Sequence, residues 1–261
     1  MRKISILIAL IILLVVVVSP AAAITWGETD IEHSYVGAMV VDWPGYGPFQ
    51  ICSGTLIAPR VFITASHCTA DLAADNIETV WVNFDPYALT LDTLLNVSEV
   101  ITHPDYEWGG SNPHDVALLI LEEPVEGIQP ATLPEAGFME TLLKAGELKH
   151  GADTAKLTVV GYGGSMTFPP PDIYYEDYRQ IGQVSFKALL PVWIKTNQNV
   201  QLGNEGTCFG DSGGPIFHLD AQGNEVLVGV TSWGDAMCMA NGFYYRLDTP
   251  ESLLFIQDYS P

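Results

Sequence analysis

Apolar residues recur along this chain in short bursts separated by turn residues, without the long 3.6-residue periodicity of amphipathic helices. Six bursts in the first half predict strands at 36–42, 50–57, 61–64, 79–84, 94–103 and 116–121. Six more follow at 157–161, 181–188, 192–196, 215–218, 226–233 and 243–246. Many short strands at this spacing predict an all-β protein built from barrels. Residues 122–156, opening Glu122-Glu123-Pro124, read as the linker between the two halves, with a short helix or loop insertion over 135–150. The stretch 166–178, with Pro169-Pro170-Pro171, predicts an exposed loop, since proline cannot donate to a sheet ladder. At the end, Thr249 can cap a helix that Pro250 begins, with Leu253, Leu254 and Ile256 on its apolar side, over about 249–259. There is no internal repeat.

The N-terminus departs from this pattern. Arg2-Lys3 precedes an apolar run over 4–18 that only Ser5 interrupts, followed by Ser19-Pro20-Ala21-Ala22-Ala23. That arrangement predicts a secretory leader over 1–23, leaving one domain over 24–261 and an extracellular destination. The run is shorter than the roughly 20 residues a spanning helix needs, so no stable membrane span is expected in the mature chain.

Composition narrows the function classes. Hydrophobic residues make up 48% against 16% charged, enough for a sizeable core. Acidic residues outnumber basic ones 31 to 10, a net charge of −21, which argues against nucleic-acid binding. The acidity reads first as solubility and second as steering of cationic substrates. Export makes disulfides available, and Cys52, Cys68, Cys208 and Cys238 allow three complete pairings. No CxxC pair or EF-hand pattern occurs, so a metal is not expected, and Asn96-Val97-Ser98 reads as a chance glycosylation sequon.

Three short segments carry candidate chemistry. Gly210-Asp211-Ser212-Gly213-Gly214-Pro215 sets Ser212 among residues that let backbone approach closely. A serine hydroxyl attacks a carbonyl usefully only beside a general base and facing amide donors. His67 in Thr64-Ala65-Ser66-His67-Cys68 follows the apolar run at 61–63, and Asp115 stands at the mouth of the run at 116–121. His114 beside it is expected to point away.

With these motifs the chain resembles the chymotrypsin-like (trypsin-fold) serine proteases over nearly all of residues 24–261. The matches are Ala65 to Cys68, Asp115 to Leu118 and Gly210 to Pro215. The resemblance implies two six-stranded antiparallel β-barrels packed face to face with a C-terminal helix. It implies a triad of His67, Asp115 and Ser212, with an oxyanion hole from the N–H groups of Gly210 and Ser212. It also implies disulfides Cys52–Cys68 and Cys208–Cys238. Polypeptide substrates, protein inhibitors, a monomeric state and no cofactor complete the family expectation.

Cleavage after Ala23 would expose Ile24-Thr25-Trp26-Gly27, similar to the Ile-Val-Gly-Gly start of activated members. In those enzymes the new amino group pairs with the aspartate before the nucleophile, here Asp211. Signal peptidase would then make the active terminus without a propeptide.

By the same resemblance the primary pocket has Gly206 at its base, followed by Thr207, with Ser232-Trp233-Gly234 on one wall and Gly242 opposite. Glycine at 206 in place of aspartate argues against Lys or Arg preference. Open walls predict bulky apolar or aromatic residues before the scissile bond, unless Glu205 or Asp235 reaches inward. The rival function is a catalytically silent binding protein on the same fold. An esterase or lipase fits less well, since those order the triad serine, acid, histidine around Gly-x-Ser-x-Gly.

Overall fold

All twelve anticipated strands form, in two groups whose boundaries follow the apolar bursts. The computed structural model describes residues 24–150, 155–167, 171–220 and 222–259. The leader expected over 1–23, together with Pro169 and Pro170, lies outside the described residues. The first barrel contains β2 (Val36–Trp43), β3 (Gly47–Ala58), β4 (Val61–Thr64), β5 (Val80–Asn83), β6 (Leu95–Thr102) and β7 (Ala117–Leu121). It closes in the order β2-β3-β4-β7-β6-β5, with antiparallel pairing throughout.

The second barrel contains β8 (Lys156–Gly161), β11 (Gln180–Leu189), β12 (Trp193–Asn197), β13 (Pro215–Leu219), β14 (Glu225–Gly234) and β15 (Asn241–Arg246). It runs β11-β12-β15-β14-β13-β8 and closes by pairing β8 with β11. A short β1 (Glu28–Thr29) adds to β11. Residues 166–178 are less loop-like than expected: β9 (Ser165–Thr167) and β10 (Asp172–Tyr174) form a hairpin. Pro171 stands just outside its paired residues, consistent with proline's missing donor.

The continuous apolar reading of β2 has a packing cause. Val36, Ala38 and Val40 enter a cluster that joins both barrels, including Val160, Tyr162, Phe217 and Tyr245. The alternate residues Met39 and Val41 enter a different cluster with Phe62, Val82 and Leu119. Both faces of this strand are therefore buried, so alternation with polar residues disappears. A third cluster, around Val159, Val184, Phe186, Ile194 and Ile216, belongs to the second half.

Polar contacts also tie the halves together. Arg179 is fully buried, and its guanidinium donates to Asp30 at 2.8 Å, to the carbonyls of Val36 and Phe84, and to the Tyr162 hydroxyl. Asp30 also meets His33 Nδ1 at 2.7 Å, while His33 Nε2 lies 3.1 Å from Glu225. Removing one partner of such a buried set leaves an uncompensated charge, at a typical cost of about 3–5 kcal/mol. Between the barrels, α1 (Phe138–Ala145) occupies the segment read as a helix or insertion. The chain closes with α2 (Pro250–Tyr259), where the Thr249 hydroxyl accepts from the N–H of Ser252.

Candidate active site

Three elements converge on a cleft of about 650 Å³ lined by both barrels. His67 lies in a single 3-10 turn, Ser66–Cys68, directly after β4. That turn is fixed by the Cys52–Cys68 disulfide and by the Ser66 hydroxyl, which donates to the Val116 carbonyl at 2.7 Å. Asp115 sits just before β7 and is completely buried. One of its oxygens accepts the backbone N–H of His67 at 2.9 Å, and the other accepts His67 Nδ1–H at 2.9 Å. The Ser232 hydroxyl also donates to Asp115. Burial pushes the Asp115 carboxyl upward, but the His67 hydrogen bond and charge, with Ser232 in support, hold it below the ordinary aspartate value.

With Nδ1–H committed to Asp115, His67 presents Nε2 as its proton acceptor. Ser212 lines the same cleft as His67. Among the described residues no hydrogen bond joins their side chains. Trp108 stands edge-on to the His67 ring at 5.9 Å and, with Tyr106, walls the cleft. No sequence signal marked either aromatic.

The turn carrying Ser212 is held from its carbonyl side. The Phe209 carbonyl accepts from Gly164 N–H at 2.7 Å, and the Asp211 carbonyl accepts from Gly214 N–H at 2.8 Å. In a trans peptide the N–H points opposite its carbonyl, so the Gly210 and Ser212 N–H groups face away from these anchors. Neither donates to a protein acceptor among the described residues. The Gly210 carbonyl itself accepts from Gln50 Nε2 and the Ser53 hydroxyl, both at 3.0 Å. Gly213 has φ +77°, and a Cβ there would fall 2.0 Å from Thr64 Oγ1, so the turn admits no side chain at that position.

Asp211 points away from the cleft and is completely buried. Its oxygens accept the N–H groups of Gly163 and Cys208, both at 2.8 Å. Burial dominates and pushes the carboxyl up to about 7, only partly offset by these two donors. The Ile24–Asp211 ion pair expected after cleavage needs a free amino group, which Ile24 does not carry while residue 23 is attached. Ile24 is buried, but its nitrogen is an uncharged peptide amide and donates to Gln180 Oε1 at 3.1 Å. Gln180 is the register partner of Gly161, where a Cβ would lie 2.2 Å from Asp211 Oδ1. Thr25 and Gly206 exchange both backbone hydrogen bonds, which seats the segment after Ile24 against the residues before Thr207.

The remaining pocket residues divide. Thr207, Ser232, Trp233 and Gly234 line the open cleft, together with the second disulfide, Cys208–Cys238. Gly206 and Gly242 do not line it. The Gln198 side chain, unmarked in the sequence, fills the space between them: a Cβ on Gly242 would lie 2.2 Å from Gln198 Oε1, and one on Gly206 3.0 Å from Nε2. Of the two suspect carboxylates, Glu205 does not line the cleft, whereas Asp235 does. Glu205 accepts the Gln183 N–H at 2.5 Å, away from the cleft. Asp235 accepts loop N–H groups from Met237, Met239, Ala240 and Asn241. His114 takes a left-handed backbone with φ +52° and turns to the Asp105 carbonyl and Glu251, away from Asp115.

Two closed barrels, with an aspartate–histidine pair from one and a serine turn from the other meeting at a shared cleft, define a chymotrypsin-like serine protease. A family model described as Trypsin matches residues 26–252, so this chain belongs to the trypsin family and is a serine endopeptidase. It is 30% identical to a trypsin of Saccharopolyspora erythraea over 225 residues, covering 80% of this chain and 87% of that protein. A tryptase of Mus musculus is 32% identical over 218 residues, covering 76% and 75%. Among solved structures, HL collagenase shares the fold with a TM-score of 0.67 at 20% identity, over 90% of this chain and 97% of that one. No described helix is long and apolar enough to cross a membrane.

Proposed function

We propose that this trypsin-family endopeptidase is secreted and cleaves polypeptides through Ser212, His67 and Asp115. The observation that carries the reading is the doubly hydrogen-bonded Asp115–His67 pair facing the same cleft as Ser212. His67 Nε2 takes the Ser212 proton as the hydroxyl attacks the scissile carbonyl, then returns it to the leaving amine. Asp115 holds the imidazole tautomer and stabilises the imidazolium without taking its proton. The N–H groups of Gly210 and Ser212 receive the oxyanion, each such donor contributing about 2.7–4 kcal/mol in comparable sites. Water then releases the acyl-enzyme.

The mature enzyme begins at Ile24, whose ammonium pairs with Asp211. A buried carboxyl raised to about 7 is the receptor such a charge would relieve. Edman or mass-spectrometric sequencing of the secreted protein tests this, and a mature start elsewhere contradicts it. The primary pocket takes an apolar side chain, because Gly206 stands where an aspartate would favour Lys or Arg and Glu205 is turned to the Gln183 N–H, leaving Asp235 at the cleft lining as the one nearby carboxylate among these candidates. Labelling with a fluorophosphonate tests the whole reading: Ser212 should be modified, and a correctly processed chain that stays unlabelled would instead be a silent binding protein.

A further inference from the structure

We infer that Gln198, rather than Gly206 or Gly242, sets the depth of the primary specificity pocket, so that the enzyme selects unbranched or γ-branched aliphatic residues and rejects aromatic ones. The inference rests on the endopeptidase reading above and narrows its substrate class. Gln198 follows β12 and is buried to 1% exposure. Its carboxamide is locked on both ends. Nε2 donates to the Thr207 carbonyl at 3.2 Å, while Oε1 accepts from the Thr207 hydroxyl at 3.0 Å and the Tyr244 hydroxyl at 3.4 Å. The absence of side chains at 206 and 242, which suggested a deep pocket, is what admits this amide.

The accessible cleft therefore stops at Thr207. Thr207, Ser232, Trp233, Gly234, Asp235 and the Cys208–Cys238 bridge line it, and Gln198 lies behind Thr207. The Thr207 hydroxyl is occupied by Gln198 and Tyr244, so the floor offers an incoming side chain little hydrogen bonding. A leucine or methionine chain fits above this floor. An aryl ring would have to drive the Gln198 amide from its site, stranding the buried Thr207 and Tyr244 groups that it satisfies, which is the costly direction of hydrogen-bond loss. Gln198 would thus be a positioning residue for specificity, acting through Thr207 without touching the reacting atoms.

The test is a matched set of peptide substrates differing only in Leu, Met, Phe, Tyr or Arg before the scissile bond, assayed on the full mature enzyme. Wild type should turn over Leu at least about tenfold faster in kcat/KM than Phe, the low end of what a size mismatch in an apolar pocket supplies. Gln198→Ala should raise the Phe/Leu ratio by about tenfold or more, while Gln198→Met, which refills the volume without the amide, should stay near wild type. Fluorophosphonate titration of each preparation reports active enzyme independently of the peptide. A titratable wild type that cleaves Phe or Arg as fast as Leu overturns the inference, as does a titratable Gln198→Ala with an unchanged ratio. Should Gln198→Ala fail to fold, relative inactivation of wild type by Leu and Phe chloromethyl ketones decides on the same criterion. A wild type that neither titrates nor cleaves any peptide removes the endopeptidase reading itself.

Discussion

Ser212 is flanked by two completely buried aspartates that the fold treats in opposite ways. Asp115 faces a histidine and a serine hydroxyl and stays below the ordinary carboxylate range. Asp211, one residue before Ser212, has only two backbone N–H donors and is pushed up to about 7. Burial is equally complete at both, so the difference lies in partners: an ionisable neighbour rescues one charge, and peptide dipoles alone do not rescue the other. Asp115 is thus ready to support an imidazolium. Asp211 is ready to receive a cation that the uncleaved chain does not supply. Asp30 belongs with the first kind, since burial raises it but His33 and Arg179 pull it below the ordinary value.

The largest effect should come from Asp115→Asn. It keeps the shape but cannot orient the imidazole tautomer, and kcat should fall by about 10⁴, the magnitude established for the Ser-His-Asp template. Asp211→Asn should separate two forms of the protein. In a chain beginning at Ile24 it should cost about 10²–10³ in kcat, comparable to loss of an oxyanion donor, because the turn loses its ion pair. In a chain retaining residues before Ile24 the same change should leave stability unchanged or improved. Equal effects in both would contradict the terminus pairing.

Ser232→Ala tests the partner argument more finely. Losing a hydrogen bond to a charged group costs about 1.5–3 kcal/mol, so kcat/KM should drop by roughly one to two orders of magnitude. An unchanged pH-rate profile and rate would mean that His67 alone sustains Asp115.

Much of this was readable in the sequence, for reasons that can be located. The twelve barrel strands are apolar on one or both faces, so their positions show in composition. His67, Asp115 and Ser212 come embedded in short contiguous motifs, and the two disulfides follow the pairing that the family resemblance implies. The pocket was not readable to the same degree. Glycines at 206 and 242 say only that space exists, while its occupant, Gln198, comes from a separate segment and meets them through tertiary folding. Trp108 likewise reaches His67 from a loop without periodicity. The β9–β10 hairpin escaped notice because prolines near it mask a local pairing.

The remaining tests are in pH-dependent stability, where both contributions fall as pH rises, in different windows. With residues before Ile24 attached, Asp211 holds its proton in the folded state up to about 7 but releases it near 3.8 when unfolded. Stability should then fall as pH rises from about 4 to 7 and level off above. The chain beginning at Ile24 should lack that decline. For His33, burial alone would lower the value, yet Asp30 and Glu225 raise it from 6.5 to about 9. Its contribution is fully present below 6.5 and should be lost as pH rises through 9, in either form of the chain. Urea melts across this range, compared with His33→Gln, read both windows.

The most direct measurement is mass spectrometry of the chain beginning at Ile24 after fluorophosphonate treatment. One equivalent of label on Ser212, abolished by His67→Ala in a folded protein, is the expected result. A folded, correctly processed chain that takes no label, or takes it on another residue, would contradict the assignment of Ser212 as the nucleophile that His67 and Asp115 serve.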